Sequence, residues 1–460
     1  MQNFINVERI EPKKRESNKR KKDFNEIYDI YKIEEASSQA ERCIQCGDPY
    51  CHNKCPLHNF IPFWLKSTAK KDIELSFRLS NESNPFPEIT GRVCPQDRLC
   101  EGDCTLNEGY GAVTIGSIET FISEEGFKKG LKPEFMPIKS DKRVAVIGSG
   151  PAGFSTATYL LRAGIGVDMF EKAPKPGGLL TFGIPNFKLD KEVVFRRFKW
   201  LEDAGMKLFL NKEVGKDISF KEILDKYEAV FVGIGAEKSK KAGIENEDAK
   251  GVFLAIEFLK NIQQKIFNLS HDSKYSVKGK KVVVIGGGDT AMDCIRTSIR
   301  ENAASVKCLY RRDEENMPGS KKEYKNALEE GAEFIFNASP LKILVNENKE
   351  VKAIEMQKTK LTQKDSTGRR RVQIIKNSEF TVDADIVIFA LGFDPQNPSF
   401  LEENGIKTNS WGGIETNESY QTSNEKVFCG GDCYRGSDLV VTAAYDGKRA
   451  AKGIIDKFFK

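Results

Sequence analysis

Seven cysteines lie in two short runs near the beginning of the chain, in the stretches CIQCGDPYCHNKCP and CPQDRLCEGDC. The first run has the spacing C-x2-C-x4-C-x3-C-P, which is close to the bacterial ferredoxin run, whose fourth cysteine binds a different cluster from the first three. The second run has the spacing C-x5-C-x3-C. The candidate metal ligands are therefore Cys43, Cys46, Cys51, Cys55, Cys94, Cys100 and Cys104.

Clustered thiols of this kind bind iron–sulfur clusters or zinc. Two [4Fe–4S] clusters need eight ligands, so seven thiols leave one position to another side chain. Zinc is the alternative, because His52 and His58 lie in or beside the first run. Zinc carries no electrons, whereas the rest of the chain indicates redox cofactors. We therefore favour iron–sulfur clusters and interpret both histidines as loop residues.

A dinucleotide-binding pattern begins at the stretch RVAVIGSGPAG. Gly148, Gly150 and Gly153 form G-x-G-x-x-G directly after a buried strand and before a helix. These glycines permit a tight turn, close approach of the backbone to a pyrophosphate, and close packing of helix on strand. The next strand, GVDMFE, ends in Glu171, which is placed to accept a hydrogen bond from a ribose hydroxyl.

A second pattern of this kind occurs at VVVIGGGDTAMDC, where Gly286, Gly288 and Ala291 form G-x-G-x-x-A. After the following strand, an NAD site would have an acidic residue, but this chain has Arg311 and Arg312. Guanidinium groups match the 2′-phosphate of NADP, so we predict NADPH over NADH. The alternative is that the two arginines are surface charges.

Two further stretches, GGLLTFGIP and CGGDCYRGSDLVVTAAYDGKRAA, could surround a flavin ring and its ribityl chain. The order of all these pieces resembles the two-dinucleotide-binding flavoproteins, whose FAD domain is split around an inserted NAD(P) domain. This resemblance assigns FAD to the first site. The remaining predicted cofactor contacts are Pro151, Ala152, Lys172, Gly178, Leu179, Gly183, Asp289, Thr290, Gly392, Gly431, Asp432, Val440 and Thr442.

The cysteine runs, both glycine loops and the stretch YRRDEENMPGSKKE together resemble the small (beta) subunits of bacterial NADPH-dependent glutamate synthases. The cysteine domain is also similar to that of dihydropyrimidine dehydrogenase. The resemblance implies that Cys43, Cys46, Cys51 and Cys104 hold one cluster. It implies that the other cluster is held by Cys55, Cys94 and Cys100 together with a side chain other than cysteine, for which the corresponding residue is Glu119. The alternative for Glu119 is an ordinary carboxylate on a helix surface.

The predicted fold is multi-domain: an all-α iron–sulfur domain followed by two α/β Rossmann-like domains. We place the helical domain at residues 1–138, the first part of the FAD domain at 139–255, the NADPH domain at 256–383 and the second part of the FAD domain at 384–460. The polar stretch around Thr367 and Gly368 predicts an exposed hairpin.

Charge and hydropathy exclude several classes of protein. Lys and Arg (72) nearly balance Asp and Glu (67), giving a net charge of +5, which does not favour nucleic-acid binding. Neither a signal peptide nor a membrane-spanning window is evident, so we expect a cytoplasmic protein without a membrane partner. The basic run KKRESNKRKK is interpreted as a solvated arm or as a docking arm for an acidic partner.

The predicted function follows from the cofactors. NADPH gives up two electrons together, iron–sulfur clusters take one each, and a flavin converts between the two. We expect electrons to pass from NADPH to FAD, to two [4Fe–4S] clusters and then to a partner, without a catalytic acid or base from the chain. By resemblance the partner is the large (alpha) subunit of glutamate synthase, which makes glutamate from glutamine and 2-oxoglutarate, in a hetero-oligomer.

Two alternatives stay open at this point. The chain also resembles the NADPH-binding subunits of ferredoxin–NADP transhydrogenases and of sulfide dehydrogenases, which have a different electron acceptor. The other alternative is a protein-interaction module that is stabilised by zinc and whose nucleotide-binding folds have lost activity.

Overall fold

A helical domain and two domains built on parallel sheets follow one another in the computed structural model, which describes residues 2–363 and 370–459. This confirms the predicted fold class. Among the described residues, no helix combines the length and the apolar character needed to cross a membrane.

The first domain is formed by short helices that surround the two cysteine runs. Helix starts follow local chemistry: the side chain of Asp72 accepts a hydrogen bond from the Leu75 backbone N–H, and Pro87 occupies the first turn of its helix. The helices are α1 (Ser17–Arg20), α2 (Ile33–Glu41), α3 (Tyr50–Lys54), α4 (Ile61–Ala69), α5 (Ile73–Ser83), α6 (Pro87–Val93) and α7 (Ile115–Lys128).

The second domain has a parallel sheet with strand order β15-β4-β1-β2-β3. Its central strands are buried along their whole length, which explains their continuous apolar sequences. The strands are β1 (Arg143–Ile147), β2 (Gly166–Phe170), β3 (Lys207–Phe209), β4 (Ala229–Val232) and β15 (Val427–Cys429). The helices are α8 (Pro151–Arg162), α9 (Leu179–Phe182), α10 (Lys191–Asp203), α11 (Phe220–Lys226), α15 (Phe400–Glu403), α16 (Asp432–Arg435) and α17 (Val440–Phe458).

The third domain has a parallel sheet of order β6-β13-β7-β8-β9 and an antiparallel sheet of order β10-β11-β12. The parallel strands are β6 (Val252–Leu254), β7 (Lys281–Ile285), β8 (Ser305–Tyr310), β9 (Glu333–Phe336) and β13 (Ile386–Phe389). The antiparallel strands are β10 (Ala338–Val345), β11 (Val351–Leu361) and β12 (Val372–Asp383). The helices are α12 (Ala255–Ile266), α13 (Asp289–Arg300) and α14 (Lys321–Glu330).

Strands at both borders of this third domain fall outside the range 256–383 predicted for it. β6 and β13 both pair within its parallel sheet, so the sheet includes residues on either side of that range. The chain passes between the second and third domains twice. The two connecting segments pair through the short strands β5 (Lys238–Ser239) and β14 (Phe393–Asp394). The antiparallel pairing of β11 with β12 forms the expected hairpin, while its turn at Thr367 and Gly368 lies outside the described residues.

A buried ion pair joins the helical domain to the second domain. Arg197 of α10 donates through Nε to Glu88 of α6 at 2.6 Å and through Nη1 to Asn81 at 2.9 Å, and both members of the ion pair are almost fully buried. Tyr159 of α8 adds a hydrogen bond to the Ser83 carbonyl. These contacts fix α6, and therefore Cys94 directly after it, against the second domain.

The basic run near the N-terminus packs on the third domain of the same chain. Arg20 is 1% exposed and donates to Glu330 at 2.9 Å and to Glu329 at 2.7 Å, both on α14. Glu330 also accepts hydrogen bonds from Arg296 and Arg300 of α13. Part of this run therefore packs on acidic residues of the same chain, more than three hundred residues away, while Lys13, Lys19 and Lys22 are exposed as expected for a solvated arm.

We expect Arg20→Ala to lower the free energy of unfolding by about 2 kcal/mol, as for the loss of hydrogen bonds to a charged group. The cost stays below that of an isolated buried carboxylate, because Glu330 keeps two other arginine partners. Denaturant titration measures the change. Lys19→Ala is the matched control, since Lys19 is 75% exposed and pairs only with Glu16 among the described residues; equal effects of the two variants would contradict the prediction.

Candidate functional site

One large cavity of about 500 Å³ lies where the three domains meet. It is lined by the first glycine loop, by Asp289 and Thr290 directly after the second glycine loop, and by residues of the cysteine domain, including Cys94. We name it the cofactor cavity. One dinucleotide-binding loop, the start of the helix after the other, and a cysteine of the candidate metal domain therefore lie in the wall of one space.

The first glycine loop has the geometry that a bound pyrophosphate requires. Gly148 has a φ of 91°, and a Cβ at Gly148 would collide with the Gly233 carbonyl. A Cβ at Gly153 would collide with the Gly148 carbonyl. A Cβ at Gly150 would meet no atom within 4 Å, so the backbone there is open to the cofactor cavity. Pro151 and Ala152 follow in the first turn of α8, whose free N–H groups face the same space.

Acidic and basic residues after β2 lie at one end of this cavity. Glu171 is buried, lines the cavity and accepts hydrogen bonds from the backbone and hydroxyl of Ser149. Each carboxylate oxygen can accept more than one hydrogen bond, so Glu171 retains capacity for a ribose hydroxyl. Lys172 also lines the cavity and pairs with Glu237 at 3.0 Å.

The predicted flavin-ring contacts also line the cavity, beside the first glycine loop. One wall is formed by α9, which begins at Leu179, and by the glycines on either side of it, Gly178 and Gly183. The opposite wall is formed by the loop from Gly431 to the start of α17.

Three features of that opposite wall suit a flavin. Gly431 has a φ of 80°, which favours glycine. Burial raises the pKa of Asp432 to about 7. Helix α17 begins at Val440, which lines the cavity, so its positive dipole end faces the cavity.

Eight predicted contacts do not line the cofactor cavity: Gly153, Gly286, Gly288, Ala291, Arg311, Arg312, Gly392 and Thr442. The hydroxyl of Thr442 donates to the Leu439 carbonyl within the first turn of α17. Gly392 lies just outside the cavity wall, where its carbonyl accepts a hydrogen bond from the Lys240 N–H.

The second glycine loop repeats the first on β7 and α13. A Cβ at Gly286 would collide with the Ala390 carbonyl, whereas a Cβ at Gly288 would meet nothing within 4 Å. Ala291, which belongs to α13, is buried in the core. Asp289 and Thr290 line the cofactor cavity, and Asp289 accepts a hydrogen bond from the Ser320 N–H.

Arg311 and Arg312 follow β8, next to the strand that leads into this second loop. Arg311 is exposed. The Nε of Arg312 is buried and has no hydrogen-bond partner among the described residues. A buried guanidinium N–H without an acceptor is costly, so a phosphate oxygen at this position would satisfy it.

The seven thiols of the helical domain lie around two small cavities. Cys43, Cys46, Cys51 and Cys104 line the first, which we name the outer thiol cavity because exposed Tyr50 stands at its edge. The second is lined by Cys55, Cys94, Cys100 and Glu119 and is named the inner thiol cavity. Cys94 belongs both to this inner cavity and to the cofactor cavity.

Glu119 is held in place by hydrogen bonds from three neutral side chains. Its Oε1 accepts from Asn59 at 2.6 Å and from Asn84 at 3.2 Å, and its Oε2 accepts from Thr90 at 3.1 Å. Burial raises the pKa of Glu119 to about 7, against the opposing effect of these hydrogen bonds. The carboxyl group is therefore oriented within a cavity that it shares with three thiols, and it lies on no exposed helix surface.

The thiols surround cavities and do not converge on a point. Within residues 2–363 and 370–459, no three or more His, Cys, Asp or Glu side chains are grouped so that they could hold a single metal ion. Each thiol cavity has four candidate donor side chains in its wall, the number that one [4Fe–4S] cluster needs. His52 and His58 line neither thiol cavity; His52 Nδ1 lies 2.9 Å from the Asn59 carbonyl.

Several residues around these cavities escaped sequence analysis. Asn59, Asn84 and Thr90 orient Glu119 but lie in helices and loops without a recognisable motif. Lys188 and Asp293, which pair across the cofactor cavity, are more than a hundred residues apart. The sequence offered one signal for Asp293. In GGGDTAMDC, Asp293 lies one helical turn after Asp289 and therefore on the same face of the helix.

Comparisons with known proteins agree with this geometry. Residues 20–131 match the family described as dihydropyrimidine dehydrogenase domain II, 4Fe-4S cluster, and residues 142–447 match the pyridine nucleotide-disulphide oxidoreductase family. The chain is 49% identical to the glutamate synthase [NADPH] small chain of Escherichia coli (strain K12), over 98% of each chain.

The chain belongs to the glutamate synthase small-chain family.

Other members of this wider group differ in length. The putative oxidoreductase AegA of Escherichia coli is also 49% identical over 97% of this chain, but the match covers only 69% of AegA. Among solved structures, FprA of Mycobacterium tuberculosis in complex with NADPH has a TM-score of 0.58 at 20% identity, covering 69% of this chain and 84% of FprA. That likeness shows the fold of the two sheet domains of this small-chain family member.

Proposed function

We propose that the chain is the NADPH-oxidising electron-transfer subunit of glutamate synthase, carrying FAD and two [4Fe–4S] clusters. The single observation that carries this proposal is the cofactor cavity, whose wall includes the first glycine loop, the residues directly after the second glycine loop, and Cys94. Coenzyme, flavin and cluster would thus occupy one continuous region. FAD, when bound, supplies the conversion from paired to single electrons.

The residues of the chain would bind the cofactors and orient them. The second glycine loop and the start of α13 hold the NADPH pyrophosphate, and the two arginines after β8 bind its 2′-phosphate. The first glycine loop, Glu171 and Asp432 hold FAD. Seven cysteines and Glu119 hold the clusters. The roles at the FAD and cluster sites are supported by the placement of those residues in the cavity walls. The roles at the NADPH site are supported by Asp289 and Thr290 in the cavity wall, by the orphaned Arg312 Nε and by the open backbone at Gly288.

The order of electron transfer follows from the position of Cys94. The inner thiol cavity shares Cys94 with the cofactor cavity, so a cluster held there would be placed to take electrons first. The outer thiol cavity has no lining residue in common with the cofactor cavity and has exposed Tyr50 at its edge. A cluster there would pass electrons to the partner.

The proposed partner is a large subunit that makes glutamate from glutamine and 2-oxoglutarate. The match from end to end with a glutamate synthase small chain favours this partner, since AegA is a longer protein with additional sequence. A ferredoxin–NADP transhydrogenase or sulfide dehydrogenase complex is the second candidate, which has the same cofactors and a different acceptor.

Isolation of the native complex tests the proposal. We expect tagged chain expressed from its own gene to co-purify with a larger glutamine-using subunit, with flavin, and with about eight iron atoms and equal acid-labile sulfide per chain. The complex should form glutamate from glutamine and 2-oxoglutarate only when NADPH is supplied. A complex with flavin and iron but another acceptor subunit would support the second candidate, and a colourless protein with zinc would contradict both.

A further inference from the structure

Oxidation of NADPH by one-electron acceptors releases a proton inside the protein. NADPH loses a hydride, which contains two electrons and one proton, and becomes NADP⁺. The two electrons leave singly through the clusters, whereas the proton cannot enter an iron–sulfur cluster and must leave by another route. Each turnover therefore delivers one proton from the cofactor cavity to solvent, and the chain must provide ionisable groups for it.

We propose that Asp293, held by Lys188, accepts this proton in the cofactor cavity and releases it to solvent through a second cavity beside it. This inference rests on the function proposed above. Asp293 thereby becomes a catalytic residue for proton transfer and Lys188 a positioning residue.

The geometry of the ion pair carries the proposal. Lys188, in the segment between α9 and α10, places its Nζ 2.9 Å from Oδ1 of Asp293 on α13. Both residues line the cofactor cavity. Asp293 is 5% exposed, and its Oδ1 accepts no hydrogen bond with acceptable geometry from the described part of the chain. A buried carboxylate of this kind has a lone pair available for a proton.

A second cavity of about 80 Å³ leads away from the pair, and we name it the side cavity. It shares Lys188, Asp289 and the segment 93–95 with the cofactor cavity. Exposed Asp29 and Lys322 stand in its wall, so it reaches the surface. Its volume accommodates several water molecules, which can relay a proton.

The charges around Asp293 come from every element packed against it. Asp289 lies one turn earlier on α13, and Arg296 lies one turn later and pairs with Glu323 of α14. Glu323 also lies 3.9 Å from Lys188. Lys191, at the start of α10, is buried and donates to three backbone carbonyls.

These charges decide which group changes protonation. Burial, helped by Glu323 and Asp289, raises the pKa of Asp293 to about 6 despite the attraction of Lys188. Burial would lower the pKa of Lys188, but the carboxylates of Asp293, Glu323 and Asp289 outweigh it and raise that pKa. Burial would raise the pKa of Glu323, but Arg296 and Lys188 hold it below its usual range. Burial also lowers the pKa of Lys191 to about 7, against the attraction of Asp293 and Asp190. Asp293 and Lys191 are therefore the groups here whose protonation changes closest to neutral pH, while Lys188 and Glu323 stay charged.

Stopped-flow measurement with ferricyanide as acceptor and a pH-indicator dye follows both products at once. NADPH and two ferricyanide ions give NADP⁺, two ferrocyanide ions and one proton. We expect proton release in step with coenzyme oxidation in the unchanged protein, and both about 10- to 100-fold slower in Asp293→Asn at pH 7.5. The matched control is Glu301→Gln, which removes a carboxylate at the other end of α13 that pairs with Lys265.

The pH profile separates a proton-transfer role from a structural one. A base works when deprotonated, so the rate in the unchanged protein should fall as pH drops through the pKa of Asp293. Lys188→Met removes the nearest positive charge, so this acidic limb should move to higher pH by about one unit or more. Asp293→Asn should abolish the limb. The component of the protonated-carboxyl infrared band that Asp293→Asn removes belongs to Asp293. The pH dependence of this component should shift with Lys188→Met.

The outcomes also separate this inference from the function on which it rests. A protein that does not oxidise NADPH with ferricyanide contradicts the proposed function. If NADPH is oxidised but Asp293→Asn keeps the normal rate and acidic limb, the proton-transfer role is overturned. An Asp293→Asn protein with a raised KM for NADPH and an unchanged limb would also overturn it, since Asp293 would then only bind coenzyme.

Discussion

Glu119→Ala is expected to remove one of two clusters while leaving the other cluster and the flavin in place. Iron content should fall from about eight to about four atoms per chain, because the inner thiol cavity retains only three thiols. Electron transfer from NADPH to the native partner should fall at least about 100-fold. Iron and sulfide analysis, flavin absorbance and the partner-dependent rate measure these changes.

Two further variants sharpen this prediction. Glu119→Cys should retain the cluster, since thiolate is the usual ligand, but with an altered reduction potential. Glu125→Ala on the same helix should keep all the iron, because Glu125 pairs only with Lys128 among the described residues. Gln96 also lines the inner thiol cavity. Full iron content in Glu119→Ala, together with loss of iron in Gln96→Ala, would assign the eighth ligand to Gln96.

The second large effect is expected at the coenzyme site. In the Arg311→Ala and Arg312→Ala double variant, the KM for NADPH should rise about 100-fold, because hydrogen bonds to a charged group contribute about 1.5–3 kcal/mol each. The KM for NADH should change little, since NADH has no 2′-phosphate. Steady-state kinetics with ferricyanide and both coenzymes measures the ratio.

Lys307→Ala is the matched control for this double variant. Lys307 lies on β8, two to three residues before the strand ends, and pairs with Glu333 of β9 at 3.1 Å. Its removal takes away a positive charge of the same strand without touching the proposed phosphate site. An unchanged preference for NADPH in the double variant, or an equal loss in Lys307→Ala, would contradict the assignment.

The spacing of residues in the sequence was sufficient to predict the glycine loops, the cysteine runs and the two parallel sheets. The glycines of both loops are predictable because each must avoid a specific backbone collision within a strand–turn–helix unit of a few residues, as Gly148 and Gly153 do. The cysteine runs are predictable because closely spaced thiols are typical of cluster ligands, although each cavity takes its thiols from both runs. The two sheets follow from continuous apolar strands beside these loops.

Only the tertiary structure decided how these units meet. The contact of the inner thiol cavity with the cofactor cavity depends on α6, which the buried pair of Glu88 and Arg197 fixes against the second domain. Two further ion pairs are also decided by the tertiary structure: Arg20 of α1 with Glu330 of α14, and Lys188 with Asp293. Each pair joins residues far apart in the chain, and a charge in the sequence does not reveal its partner. Burial is what makes these pairs strong and what shifts their protonation, and burial exists only once the three domains have packed together.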